Sequence, residues 1–218
     1  MPQGRSHIPY MSLPLPDLFG NMLHGLAQTD LSISCDEEAD LIARIDSSGL
    51  SRFRFQGWLG KRLTASFGWR YDFDDASFRE TAPIPDWLLP LRTKAAYFAG
   101  LEADALVQAL LIRYDPGAGI GWHRDRPVFE HVVGVSLGNP ATLRLRRRRP
   151  EGGFDRVAVL LEPRSAYHLS GAARHEWEHS IAPMEVPRWS VTFRSLSEKG
   201  HKTRDQSAAK SIGPSLSR

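Results

Sequence analysis

Arg188-Trp189-Ser190-Val191-Thr192-Phe193-Arg194 alternates without a break between polar and apolar side chains. A β-strand sends successive side chains to opposite faces. This run therefore presents two guanidiniums and two hydroxyls on one face, and Trp189, Val191 and Phe193 on the other. Solvated arginines on an edge strand are ordinary, whereas arginines turned inward are costly unless an anion meets them. Upstream, Leu106–Tyr114, His131–Leu137, Ala141–Arg147, Arg156–Leu161 and Ser165–Leu169 are further short β-rich segments separated by Gly, Pro and Asn turns. Such a series predicts a sandwich or jelly roll. Ahead of it, Leu31–Ser34 reads as a short strand, and Ser34-Cys35-Asp36-Glu37 is a capping-box signature. Ala39, Leu41, Ile42 and Ile45 continue it as an apolar helical stripe. A second helix is expected from Pro85-Asp86 towards Phe98, ending at Gly100. The predicted class is α+β, mainly β, with the N-terminal helices bracing one face of the β core.

The chain has 218 residues, 41% hydrophobic and 24% charged, enough for one substantial domain. Residues 1–27, with prolines at 2, 9, 14 and 16 and no period, read as a flexible N-terminal arm. Residues 28–196 read as the folded domain, its β core at about 105–196, and 197–218 as a disordered tail poor in apolar residues. The formal net charge of +3 singles out no partner. One cysteine, Cys35, excludes an intrachain disulfide and a thiolate metal cluster, and suits a reducing cytosol. There is no apolar run of about 18 residues and no basic segment followed by an apolar stretch at the N-terminus. A cytoplasmic monomer without a membrane span is the expectation.

Gly121-Trp122-His123-Arg124-Asp125 holds the candidate chemistry. On an extended strand His123 and Asp125 share a face while Arg124 points away. The best third ligand is His179, in Trp177-Glu178-His179-Ser180-Ile181. Two imidazoles and one carboxylate on one face of an octahedral ion leave open positions, the arrangement of non-haem ferrous oxygenases. A lone His-x-Asp is weak; the paired arginines of Arg188–Arg194 strengthen it, because a guanidinium fork matches a dicarboxylate. His175-Glu176-Trp177-Glu178-His179 competes, since it also reads as the H-E-x-x-H of a zinc peptidase, with Glu198 as a further ligand. That reading needs a catalytic helix over a short stretch between Gly171 and Pro183, and leaves His-x-Asp and the arginines unexplained.

Five motifs in order carry a resemblance: Arg113-Tyr114-Asp115-Pro116-Gly117-Ala118, His123-Arg124-Asp125, Val133-Gly134-Val135-Ser136-Leu137-Gly138, His179-Ser180-Ile181 and Arg188 to Arg194. Residues 105–196 resemble the catalytic core of the AlkB-like family of Fe(II)- and 2-oxoglutarate-dependent dioxygenases, with weaker similarity through Arg62–Gly68 and Tyr71. The resemblance implies a double-stranded β-helix, iron held by His123, Asp125 and His179, and 2-oxoglutarate and O2 as cosubstrates. It further implies that Arg188, helped by Tyr114, holds the distal carboxylate of 2-oxoglutarate, and that Arg194 lies near its chelating end. Ile112 and Ser190 stand where many members have Asn; Ser190 keeps one donor for the cosubstrate.

Leu143-Arg144-Leu145-Arg146-Arg147-Arg148-Arg149 is the strongest charge cluster, with Arg144 and Arg146 candidates for phosphate contact. In the aromatic and basic segment Phe53–Tyr71, Trp69 and Tyr71 are candidates for stacking an extruded base. The function expected from the resemblance is oxidative demethylation of N-alkylated bases in DNA or RNA, releasing succinate, CO2 and formaldehyde. The alternatives are the same chemistry on a protein or small molecule, or a non-catalytic nucleic-acid-binding jelly roll. Arg126-Pro127 follows the metal-binding Asp where several base-repair members have acidic residues, so the substrate is less defined than the iron site.

Overall fold

The computed structural model describes residues 23–55, 58–71 and 77–211. Among these, twelve strands form two antiparallel sheets. The larger sheet contains β1 (Leu26–Asp30), β2 (Ser51–Phe55), β3 (Trp58–Tyr71), β5 (Leu106–Tyr114), β7 (Phe129–Leu137), β10 (Ser165–Leu169) and β12 (Arg188–Leu196), ordered β1-β10-β7-β12-β5-β3-β2. A short β4 (Phe78–Glu80) pairs with the end of β3. The smaller sheet is β6 (Ile120–His123), β11 (Glu178–Ile181), β8 (Ala141–Arg148) and β9 (Phe154–Leu161), ordered β6-β11-β8-β9. From β5 to β12 the chain passes back and forth between the two sheets, with β8 and β9 as a hairpin in the smaller one, which is the jelly roll the β-rich segments predict and the double-stranded β-helix the resemblance implies.

The period-2 pattern is realised in two cores. Between the sheets pack Ile112, Val132, Leu143, Leu145, Val157, Val159, Leu161, Tyr167 and Trp177. On the outer face of the larger sheet Leu111, Val133, Val135, Val191 and Phe193 meet the helices through Ile45, Leu88, Leu91, Ala95 and Ala96. Helix α1 (Cys35–Asp46) has the full capping box: Ser34 Oγ accepts from the Glu37 amide, and Glu37 Oε2 from the Ser34 amide. Buried Glu38 fixes this helix to the sheet, accepting from the Gly138 amide at 2.8 Å and from Arg164 at 2.6 Å. A 3-10 turn over Asp86–Leu88 leads into α2 (Leu89–Ala99), which ends on left-handed Gly100 (φ 68°), a conformation that favours glycine. At Gly134 the backbone passes the Tyr167 ring so closely that a Cβ would sit 2.3 Å from it; only glycine fits there.

Three expectations need correction. The arm does not extend to residue 27, because β1 begins at Leu26, pairs with β10 and buries Leu23 and Leu26; residues 1–22 lie outside the described residues. Leu31–Ser34 is not a strand, since Ser32 is left-handed (φ 51°) and breaks the extended backbone. The tail is not disordered throughout: α4 spans Glu198–Ser211. Ser197 anchors it, its amide donating to Val128 O and its hydroxyl to Pro127 O, while Gly200 N donates back to Ser197 Oγ. Residues 212–218 lie outside the described residues. Among the described residues no helix is long and apolar enough to cross a membrane.

Candidate functional site

The mouth between the two sheets opens into a cleft of about 1060 Å3. On its floor His123, Asp125 and His179 offer one ligand atom each, all within 4.8 Å of one another. The two histidines are brought together by strand register, His179 on β11 standing directly opposite His123 on β6. Their rings lie 4.2 Å apart. Asp125 is not on the strand, which ends at His123; it sits in the loop that follows, with its Oδ2 3.6 Å from His179 Nε2.

The free valences of these groups converge. His123 Nδ1 lies 2.9 Å from Gly121 O; a carbonyl only accepts, so Nδ1 carries the proton and Nε2 keeps its lone pair. Asp125 Oδ1 accepts from both Nε and Nη2 of Arg194, at 2.9 and 2.8 Å, while buried Oδ2 has no hydrogen-bond partner. Burial opposes the charge on Asp125, but Arg194, then His179, His123 and Arg174, outweigh it and hold the carboxyl well below the usual range. Burial, then the neighbouring His123, pushes His179 down to about 3, so it is a neutral ligand at physiological pH. The donor set N, N, O⁻ with one orphaned carboxylate oxygen fits a divalent cation such as Fe(II).

Deeper in the cleft, Arg188 on β12 is only 1% exposed. One nitrogen donates to Ser136 Oγ at 3.1 Å, and its guanidinium carbon lies 5.3 Å from the Tyr114 ring centroid. Nε and Nη1 are buried without partners. A buried guanidinium with two idle donors is destabilising by itself; a carboxylate would supply the opposite charge and acceptors for them. Ser190, Thr192 and Tyr114 line the same cleft. Arg194, in the same cleft, grips Asp125, and its third nitrogen donates to Gln108 Oε1 at 3.0 Å.

The competing zinc helix does not form. Helix α3 has five residues, Gly171–His175, and His179 lies on the next strand. His175 is exposed, with Nε2 2.9 Å from Glu130 Oε1. The substrate candidates divide. Tyr71 lines the cleft, with Arg126 4.6 Å over its ring. Trp69 is turned away, stacked on Phe78 at 4.9 Å in a satellite core. Arg144 and Arg146 lie on the outer face of the smaller sheet, 5.3 and 4.3 Å from the Trp122 ring, and Arg146 is paired with Glu178 at 2.7 Å. Trp122 itself lines the cleft. The sequence reading gave no role to Arg62 or Arg174. Arg174 is buried and donates to the carbonyls of Arg126 and Phe129 at 2.6 and 2.7 Å, holding the loop that carries Asp125. No periodicity marks an arginine that serves backbone carbonyls.

The profile of the 2OG-Fe(II) oxygenase superfamily matches residues 35–204. Among curated proteins, the chain is 29% identical over 164 residues to the tRNA (carboxymethyluridine(34)-5-O)-methyltransferase alkbh8 of Xenopus tropicalis, covering 73% of this chain and 25% of that protein. The corresponding mouse protein gives a similar figure, so the chain spans about a quarter of the length of these relatives. It is 32% identical over 152 residues to the mitochondrial alpha-ketoglutarate-dependent dioxygenase alkB homolog 7 of Mus musculus (59% of this chain, 67% of that one). It is 29% identical to AlkB of Salmonella typhimurium (62% and 69%). The solved structure of OsALKBH1 has the same fold, with a TM-score of 0.61 at 17% identity over 78% of this chain and 96% of that one. The triad, the idle Arg188 donors and these likenesses agree: the chain belongs to the 2OG-Fe(II) oxygenase superfamily, among its AlkB-like members, whose cofactors are Fe(II), 2-oxoglutarate and O2.

Proposed function

We propose that this protein is a 2-oxoglutarate-dependent dioxygenase that demethylates N-alkylated bases in DNA or RNA. The observation that carries the oxygenase chemistry is the pairing of two unmet needs in one cleft. Asp125 Oδ2 lacks a cation and Arg188 lacks an anion. His123 Nε2, Asp125 Oδ2 and His179 Nε2 would hold the iron, and Arg188, with Tyr114 and Ser190 beside it, the distal carboxylate of 2-oxoglutarate. Bound together with O2, these groups supply the oxidation of a substrate C–H bond with release of succinate and CO2. The chain's own residues orient and shield. Arg194 fixes which carboxylate oxygen of Asp125 is presented, Gly121 O fixes the His123 tautomer, and the apolar wall of Leu110, Ile112 and Leu143 keeps the cosubstrate end dry.

The nucleic-acid substrate is supported by the AlkB-like relatives, several of which are named for tRNA or DNA work, and by a cleft rimmed with arginine and the aromatics Trp122 and Tyr71. A hydroxylated N-methyl group collapses to formaldehyde and the free base, so no separate acid or base need be assigned. The test is the loss of one methyl mass from single- and double-stranded oligonucleotides carrying N-methylated bases, with succinate formed in step. Turnover that stops in His123→Ala supports the proposal. Succinate formation without methyl loss across the panel would move the reading to a protein or small-molecule substrate.

A further inference from the structure

Arg62 lines the cleft from β3 without holding the triad or pairing with Arg188. Its guanidinium carbon lies 3.8 Å from the Phe53 ring centroid, and its buried Nε has no hydrogen-bond partner. Burial weakens its hold on the proton, and Arg194 and Asp125 are near enough for their charges to act on it, which places a fixed cation near the floor of the cleft. Among the described residues lining the cleft there are two carboxylates. Asp125 is taken by Arg194 and by the metal position, and Glu178 by Arg146 at 2.7 Å. Arg126 adds a further positive charge beside Tyr71. A second cation entering here would be desolvated among like charges.

Methylated bases fall into two electrostatic classes. Methylation of a ring nitrogen that carried a lone pair, as in 3-methylcytosine or 1-methyladenine, leaves a cation. Methylation of one that carried a proton, as in 3-methyluracil or 1-methylguanine, leaves a neutral base with carbonyl acceptors. We infer that Arg62 is a specificity-determining residue that selects neutral alkylated bases, through a carbonyl offered to its idle donor, and rejects cationic ones. This rests on the nucleic-acid reading above and narrows it to one class of base.

The experiment uses paired oligonucleotides, in DNA and RNA backbones, identical except for 3-methyluracil or 3-methylcytosine, which differ at one exocyclic position. They compete in one reaction with the wild type, Arg62→Gln and Arg62→Lys, read by mass spectrometry as the ratio of kcat/KM. The same pairs are titrated by fluorescence anisotropy against the protein loaded with Mn(II), where nothing turns over. Like charges about 8 Å apart at an effective dielectric of about 20 correspond to about thirtyfold discrimination. The wild type should prefer the neutral base by that order in both readouts. Arg62→Gln should bring the ratio to within about threefold of unity, and Arg62→Lys should keep the preference. Preference of the wild type for 3-methylcytosine, or a ratio unmoved by Arg62→Gln, overturns the inference. So does a raised KM for 2-oxoglutarate in Arg62→Gln with the ratio unmoved, which would assign Arg62 to the cosubstrate. Absence of methyl loss from every oligonucleotide overturns the nucleic-acid reading itself, and the inference with it.

Discussion

Replacing Arg188 by methionine sets two effects against each other, and the structure gives the sign of both. In the protein without cosubstrate, Arg188 is a buried charge whose Nε and Nη1 have no partners and whose remaining nitrogen donates to Ser136 Oγ. Methionine has similar length and no charge to desolvate. Exchanging buried charge for apolar packing typically stabilises by about 1–4 kcal/mol, less about 1 kcal/mol for the hydrogen bond to Ser136. A gain of about 0–3 kcal/mol remains, or up to about 12 °C in Tm for a domain of this size. With 2-oxoglutarate the sign reverses. Two charge-assisted hydrogen bonds of about 1.5–3 kcal/mol each are lost, so KM should rise by about two to four powers of ten. The assay is a thermal melt with Mn(II), with and without 2-oxoglutarate, beside steady-state KM. At one hundred times its Kd the wild type gains about 2.7 kcal/mol from cosubstrate, and the variant at the same concentration should gain no more than about 0.4 kcal/mol. A variant that melts several degrees lower without cosubstrate, or whose KM stays within about threefold, refutes the reasoning.

Arg174→Met takes the guanidinium away from the carbonyls of Arg126 and Phe129; metal affinity should fall by about tenfold or more, measured by competition with a chelating dye, while Arg174→Lys recovers part of it. Gly134→Ala forces a Cβ into the Tyr167 ring and should cost about 1–3 kcal/mol in denaturant melts. His168 is pushed down to about 4 by burial and by His131, whose Nδ1 lies 2.9 Å from its Nε2. Its folded pKa is therefore below its unfolded one. Stability is unaffected by this group above about pH 6.5, and falls as the unfolded chain takes up a proton between about 6.5 and 4, by about 3 kcal/mol in all. His168→Leu should flatten that part of the pH–stability curve.

Strands were legible where the alternation of side chains is long, as in Arg188–Arg194, because a period of two leaves one assignment of faces. The inward arginines could be recognised for the same reason: burial of Arg188 and Arg194 follows from their parity with Ser190 and Thr192. Trp69 was misplaced because parity does not carry through a bend. Gly68, the last β3 residue in register with β5, is left-handed (φ 76°), and its amide and carbonyl bond Ala82 and Thr81. Helix α4 has few apolar residues to give a stripe, and its anchor is the Ser197–Gly200 cap against Val128. Arg146 reads as a phosphate contact from charge alone; its partner Glu178 is thirty-two residues away and becomes a neighbour only when β8 pairs with β11.

The central claim is tested most directly by counting bound metal, with anaerobic Fe(II) titrations of the wild type, His179→Ala and His175→Ala. The geometry predicts one iron per chain in the wild type and in His175→Ala, and loss of binding in His179→Ala. Binding that survives His179→Ala and disappears in His175→Ala would contradict it.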